Sequence, residues 1–194
     1  MLFNPDTGVA VLTPPRTASR SVALYLEQIG FEQVGDRHQW AGIEKAHRAY
    51  VVIRNHFDAL VSWWSYLDEG DDFNQWWNTR FLTGSSGACA LVDTDAGMWT
   101  PWIEHATHFS GPYPEMHTIR FETLAADLHQ AFGKYNAGGR AILPRVLDVV
   151  NLRAGRHYSE VMSYETRHAI ERIFGVEMKR LGYYWQPTSP SRCR

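Results

Sequence analysis

The sequence predicts an α/β fold in three layers, with a mostly parallel central sheet flanked by helices. Short apolar runs rich in β-branched or aromatic residues occur at 9–13, 49–53 and 117–121. Each run is followed first by polar residues and then by apolar residues at helical spacing. Strands that alternate with helices in this way form parallel sheets through right-handed crossovers.

Composition sets the outer limits on what the chain can be. Its 194 residues favour a single domain, 1–194, and 44% hydrophobic residues suffice for an ordinary core. A formal net charge of −2 gives no global reason to expect nucleic acid or an anionic membrane as partner. With only Cys89 and Cys193 and no run of about 20 apolar residues, we expect a reduced, cytoplasmic protein without a membrane partner or a metal cluster.

The first strand–turn–helix segment lies near the N-terminus. Residues 9–13 (VAVLT) read as a buried strand, and two prolines end the run. Val22, Leu26 and Ile29 then follow at spacings of four and three, which predicts a helix. Gly30 is its expected C-terminal stop.

The second segment repeats the pattern with 49–53 (AYVVI) as the strand. Its helix is predicted from the helical spacing of Leu60, Val61, Trp64 and Leu67. The stretch at about 68–116 is rich in Trp, Gly, Asp and Pro, and we expect it to be irregular and to form a variable acceptor-binding or lid region.

The rest of the chain supplies a third strand and further helices. The strand is predicted at 117–121 and the helix after it at 122–132. A loop is expected at 133–139, and helices at 143–150, 164–174 and 176–181, with Gly182 closing the last one.

The turn after the first strand has the composition of an anion-binding loop. A loop that leads into a helix presents unpaired N–H groups and the positive end of the helix dipole. Here it also carries hydroxyls and guanidiniums, from Arg16, Thr17, Ser19, Arg20 and Ser21. The alternative is an ordinary helix capped by Ser19 or Ser21. PPRTASRS has no glycine or lysine, so it is not a Walker A loop.

The turn after the second strand pairs an arginine with a serine. Arg54 ends the strand and Ser62 lies eight residues later, two turns into the helix. A guanidinium with a hydroxyl can hold a second phosphate. In the alternative interpretation, Arg54 pairs with Asp58 and Ser62 only permits helix packing. Ligands of such sheets bind beyond the carboxyl ends of the strands, so the two turns face one crevice if their strands are neighbours.

Together the two turns resemble the PAPS-dependent sulfotransferase family. The segment 15–21 is similar to its 5′-phosphosulfate loop, P-K-x-G-T-[TS], and 54–62 (RNHFDALVS) to its 3′-phosphate motif, R-N-P-x-D-x-x-x-S. The segment 119–124 (IRFETL) looks like the family's "lRyEdL" step, and 178–183 is similar to its closing D-x-x-x-F-G-Y. The resemblance fails over about 68–116.

Four departures from the two phosphate motifs matter most. Arg16 replaces a lysine, Arg20 a threonine and His56 a proline. Ala18 replaces a glycine, which puts in question any backbone turn that needs a positive φ.

The resemblance implies a P-loop-like sulfotransferase fold that moves the sulfonyl group of PAPS to a hydroxyl or amine, releases 3′,5′-ADP and needs no metal. A length of 194 residues leaves little room for an elaborate acceptor domain, so we expect a small-molecule or carbohydrate acceptor, and the oligomeric state stays open. The nucleotide-binding residues that it implies are Arg16, Thr17, Ala18, Ser19, Arg20, Ser21, Arg54, Ser62, Arg153, Gly155 and Arg156.

Two residues have expected catalytic roles. Arg16 would stabilise the charge that develops on the leaving phosphate. His38 would be the general base for the acceptor, with His47 and Glu44 as rival candidates.

Two other functions compete with this interpretation. One is a non-catalytic module of the same fold that binds a nucleotide or a glycan. The other is a nucleotide kinase, which the missing Walker lysine disfavours.

Overall fold

The computed structural model of the protein describes residues 1–35, 43–67, 72–83, 98, 115–136, 139, 141–143 and 157–187. The chain divides into two compact units. The first unit contains Met1–Arg54 and Pro101–Val150, and the second contains Asn55–Thr100 and Asn151–Arg194.

A five-stranded sheet organises the first unit, in the order β3-β1-β2-β4-β5. Its strands are β1 (Leu2–Asn4), β2 (Val9–Leu12), β3 (Glu32–Gln33), β4 (Arg48–Ile53) and β5 (Glu115–Arg120). β2, β4 and β5 pair in parallel, whereas β1 pairs antiparallel with both β2 and β3. The α/β class is therefore confirmed, with a mixed sheet in place of the mostly parallel one that the sequence predicted.

The antiparallel part arises from an N-terminal hairpin that the sequence analysis missed. β1 and β2 are joined by Pro5–Gly8, with Gly8 at φ 59 and the Thr7 N–H bound to the Asn4 side chain at 3.1 Å. Proline, aspartate and glycine between two short apolar runs are turn residues. This signal was present in the sequence, but the strand before it has only three residues.

Two helices pack on one face of the sheet. α1 (Ser19–Glu27) and α4 (Leu124–Phe132) share a buried cluster with Val9 and Val11 of β2 and Val52 of β4. A short 3₁₀ turn, Phe121–Thr123, leads from β5 into α4. All four residues of β2 are buried, as in a strand covered on both faces.

Gly30 ends the first helix as predicted. It adopts φ 89, its N–H donates to the Glu27 carbonyl at 3.3 Å, and the Phe31 N–H donates to the Leu26 carbonyl at 3.1 Å. This pair of bonds around a left-handed glycine is a Schellman motif.

Helices and aromatic rings make up the described part of the second unit. The helices are α2 (His56–Leu67), α3 (Phe73–Trp76), which continues as a π-helical turn (Trp77–Phe81), α5 (Tyr158–Val161) and α6 (Tyr164–Arg180). Phe73 contacts both Trp64 and Trp76, and the Trp77 and Phe81 rings stack at 4.6 Å. Trp76 and Trp77 are fully buried, which makes them core residues of this unit.

Two secondary-structure predictions were wrong in this unit. Helical turns occupy 73–81, inside the stretch expected to be irregular, and Asp72 caps them by accepting from the N–H groups of two later residues. α6 is one helix of 17 residues that runs through Gly175, because Phe174 and Met178 continue its buried stripe on either side. Gly182, at φ 71, ends it as predicted.

None of the helices in the described ranges is both long and apolar enough to cross a membrane. Most of the predicted helix at 143–150 lies outside the described residues.

Candidate functional site

The site is built where three parallel strands end. β2 and β4 are neighbours, with Leu12 opposite Val51, and β4 pairs with β5, with Ile53 opposite Arg120. Because the strands run in the same direction, the residues that follow them emerge at one edge of the sheet.

The backbone of the first turn has an unusual conformation. Arg16 and Ala18 have φ angles of 67° and 60°, and they are the non-glycine residues with positive φ in the described chain. Between them, Thr17 closes the turn: its Oγ1 donates to the Pro14 carbonyl at 2.6 Å and its N–H donates to the same oxygen at 3.4 Å. Alternation between left-handed and ordinary residues turns N–H groups toward one side, as in anion-binding nests.

Ala18 performs the conformational role that a glycine would have. It lies at the N-cap of α1 with φ 60 and ψ 32, in the left-handed region, and is 7% exposed. The departure from glycine therefore leaves the left-handed turn intact, although an L-residue is strained there by about 1–2 kcal/mol. The conformation is retained at the cost of strain in the backbone.

The start of α1 has no side-chain cap. The first helical hydrogen bond runs from the Val22 N–H to the Ala18 carbonyl at 3.0 Å, and no acidic residue lies in the first turn. The alternative interpretation, in which Ser19 or Ser21 caps the helix, is therefore wrong. Ser21 is fully buried and its hydroxyl has no hydrogen-bond partner among the described residues, whereas Arg20 is exposed. An uncapped helix start with a buried hydroxyl beside it suits an anion.

Arg54 links the second turn to the first. Its Nη1 donates to the Arg16 carbonyl at 3.1 Å, and its guanidinium lies 4.2 Å from the centre of the Phe121 ring. The side chain is 7% exposed. The structure thus brings together Arg16 and Arg54, which the sequence predicted, and Phe121, which the sequence analysis did not assign to the site. Its place directly after a strand was the available signal.

The start of α2 differs from that of α1. The Asn55 side chain accepts from the Phe57 N–H at 3.0 Å, so the asparagine of the second motif is an N-cap. Ser62 lies further along α2, in the second unit, and is 1% exposed.

His56, which stands where the resembling motif has proline, forms a buried polar contact. Its Nε2 lies 2.5 Å from Oε2 of Glu177 on α6, and the same oxygen accepts from the Met98 N–H at 2.8 Å. His56 is completely buried and the Glu177 side chain is 5% exposed. Where the motif has the rigid ring of proline, this chain has an imidazole whose contact with Glu177 connects the start of α2 to α6.

The rival candidates for general base lie at the wrong end of the sheet. Glu44 and His47 precede β4, and the His47 N–H donates to the Gly8 carbonyl, where β2 begins, at 2.9 Å. The six residues of β4 span about 20 Å. Both side chains therefore lie far from Arg54. His38, Arg153, Gly155 and Arg156 lie outside the described residues.

An exposed ion pair occupies the same far end. Arg48 Nη2 lies 2.8 Å from Oε2 of Glu115, and both side chains are largely exposed. The hydrogen bond from Arg48, together with its charge, lowers the pKa of the Glu115 carboxyl. Arg48 therefore provides a matched comparison for Arg54, at the other end of one strand.

The described residues define an α/β protein whose first turn, at the carboxyl edge of the sheet, has two left-handed residues and leads into a helix start without a side-chain cap. In the described ranges, no three His, Cys, Asp or Glu side chains come together as metal ligands. No model of a known protein family matches the chain, and no curated protein matches it either.

Proposed function

We propose that the protein is a PAPS-dependent sulfotransferase with a sulfotransferase-like version of the α/β fold. It would transfer the sulfonyl group of PAPS to a hydroxyl or amine of a small-molecule or carbohydrate acceptor and release 3′,5′-ADP. The proposal joins the resemblance of the two motifs to the geometry of the sheet edge.

The hydrogen bond between Arg54 Nη1 and the Arg16 carbonyl, at 3.1 Å, is the observation that carries the proposal. The resemblance assigns the turn at Arg16 to the 5′-phosphosulfate and Arg54 to the 3′-phosphate. Had the two segments lain apart, a single nucleotide could not have reached both. Their direct contact places both within the length of one doubly phosphorylated nucleoside.

The start of α1 supports the 5′ part of the assignment. It offers N–H groups without a side-chain cap, a buried unpartnered hydroxyl at Ser21 and a half-buried guanidinium at Arg16. Charge-assisted hydrogen bonds from such groups are the usual means of holding a phosphate or sulfate. Ala18 keeps the left-handed turn that a glycine would make.

The proposed reaction is an in-line displacement at sulfur. The acceptor oxygen or nitrogen forms a bond to sulfur, the bond from sulfur to the bridging oxygen breaks, and its electron pair remains on the phosphate of 3′,5′-ADP. Arg16 would stabilise that charge, and His38 would take the proton of the acceptor. The resemblance adds Ser62 to the nucleotide-binding residues, and the segment with Arg153, Gly155 and Arg156 as a basic loop.

Nucleotide binding provides the first test. At a concentration 100 times its dissociation constant, 3′,5′-ADP should stabilise the native state by about 2.7 kcal/mol, which corresponds to roughly 5–10 °C in Tm for a chain of this size. 5′-AMP should bind much more weakly. Arg54→Ala should abolish the preference for the 3′-phosphorylated nucleotide, whereas Arg48→Ala should retain it.

Turnover distinguishes the proposal from its competitors. A sulfotransferase releases 3′,5′-ADP from PAPS in the presence of an acceptor, whereas a non-catalytic module binds 3′,5′-ADP without releasing it from PAPS. A nucleotide kinase would instead prefer ATP with Mg²⁺. A wild-type protein whose Tm does not respond to 3′,5′-ADP would contradict the proposed function.

A further inference from the structure

One arginine, which follows a central strand, contacts residues that follow the two strands beside it. Arg54 follows β4, its Nη1 donates to the carbonyl of Arg16 in the turn after β2, and its plane lies over the ring of Phe121, directly after β5. At 7% exposure, it is buried to a degree that is rare for arginine.

The carbonyl that Arg54 holds belongs to a strained residue. Arg16 has φ 67, and Ala18, two positions later, has φ 60. Left-handed residues other than glycine persist only where the surrounding structure holds them in place. The Thr17 hydrogen bonds to Pro14 hold the middle of the turn from within, and Arg54 holds Arg16 from the neighbouring strand.

We propose that Arg54 is a positioning residue for the first turn. This inference rests on the proposed function, in which Arg54 also binds the 3′-phosphate. By fixing the Arg16 carbonyl, Arg54 keeps the uncapped N–H groups at the start of α1 in the arrangement that receives the 5′ group. Arg54 is assigned to the 3′-phosphate, but binding of the 5′ end of the nucleotide also depends on it, because it holds the turn that receives the 5′ group.

The chemistry of guanidinium fits this double role. It carries five N–H donors in a rigid plane, so one edge can bind a carbonyl while another faces a phosphate, and its face can stack on an aromatic ring. A lysine ammonium is a compact charge on a flexible chain, so it cannot bind the carbonyl, face the phosphate and stack on the ring at the same time. Phe121 supports the arrangement by fixing the plane of Arg54.

The test uses two ligands, 3′,5′-ADP and 5′-AMP, with dissociation constants measured by calorimetry on the full chain. If Arg54 positions the turn, Arg54→Ala raises the dissociation constant of 5′-AMP at least about tenfold, and a tenfold change is about 1.4 kcal/mol. This loss is expected although 5′-AMP has no 3′-phosphate. Arg48→Ala, at the other end of β4, should leave both constants unchanged. An unchanged constant for 5′-AMP in Arg54→Ala overturns the proposal.

The ratio of the two constants tests the proposed function separately. A ratio near one in Arg54→Ala supports the 3′-phosphate contact, whereas an unchanged ratio with both constants weakened rejects that contact and supports positioning alone. The two assignments can therefore fail independently.

Phe121 supplies a second variant in case Arg54→Ala does not fold. Phe121→Leu removes the ring and leaves the guanidinium, so 5′-AMP binding should weaken in the same direction by a smaller factor. Phe121→Tyr keeps an aromatic ring beside the guanidinium and should bind 5′-AMP with nearly the affinity of the wild type. Equal affinities in the leucine and tyrosine variants would contradict the role of the ring.

A measurement without ligand completes the test. In Arg54→Lys, and in Arg54→Ala if it folds, the amide resonances of Thr17 and Ala18 should move well beyond the shifts produced by Arg48→Ala. If they move no further than in that control, Arg54 does not hold the turn, whether or not the chain binds a nucleotide.

Discussion

The two helices that follow β2 and β4 begin in opposite ways. α1 starts after two left-handed residues, Arg16 and Ala18, and no side chain caps it. α2 starts after Asn55, whose side chain accepts the Phe57 N–H, and its first residue contacts a buried carboxylate. Side chains of the protein thus satisfy the start of α2, whereas the start of α1 has no side-chain cap and follows strained backbone.

This difference assigns separate tasks to the two turns. The start of α1 has no side-chain cap, and Arg54 donates to the carbonyl of Arg16 in the turn before it, so we propose that this start binds the ligand. The start of α2 is stabilised by side chains of the protein itself, because Asn55 caps the helix and His56 contacts Glu177 on α6. Variants at each start should therefore respond differently in the absence of ligand.

The largest expected effect lies at the α2 start. Glu177→Ala removes the carboxylate that contacts His56 and accepts from the Met98 N–H, and His56→Ala removes the imidazole that contacts this buried carboxylate. Removing the hydrogen-bond partner of a buried polar group costs about 1–3 kcal/mol, and more where the group is charged. Denaturant unfolding should show this loss.

Glu171→Ala is the matched control on the same helix. Glu171 pairs with Arg167 at 2.9 Å and is 29% exposed. Its removal should cost less than about 1 kcal/mol. If Glu177→Ala costs no more than Glu171→Ala, the buried contact does not stabilise the start of α2.

A smaller effect is expected at Ala18. Valine has a branched Cβ and tolerates the left-handed region poorly, so Ala18→Val should cost about 2 kcal/mol or more. Glycine relieves the strain but loses a buried methyl group and adds unfolded-state entropy, so Ala18→Gly should lie within about 1 kcal/mol of the wild type.

Ala131 provides the comparison for Ala18. It lies in the last turn of α4, with helical backbone, where alanine to glycine costs up to about 1 kcal/mol. Ala131→Gly should therefore be the more destabilising of the two glycine variants in thermal unfolding. The reverse order would mean that Ala18 is not strained.

The smallest expected effects come from removing one polar side chain at the start of each helix. Asn55→Ala should destabilise the protein by about 1 kcal/mol, because the Phe57 N–H loses its acceptor. Ser19→Ala, at the first position of α1, should change the free energy of unfolding by less than about 0.5 kcal/mol, since Ser19 caps nothing. Equal losses in both variants would remove the difference between the two helix starts.

Much of the fold could be predicted from the sequence because the signals for its elements are local. Apolar spacing predicted β2, β4 and the helices after them, and glycines marked the ends of α1 and α6. β1 and α3 were missed because they are very short, and the break predicted at Gly175 was wrong because the buried stripe of α6 continues past it.

The sequence by itself determined which residues stand at the ends of the strands: the hydroxyls and arginines of the first turn, and Arg54 with Asn55 after β4. Only the tertiary structure decided that β2 and β4 are neighbours, that Arg16 and Ala18 are left-handed, and that Arg54 binds the Arg16 carbonyl from the adjacent strand. The reason is physical. Periodicity and turn chemistry act over a few residues, whereas strand neighbours and the strain that one strand imposes on the next depend on contacts between segments about 40 residues apart in the chain.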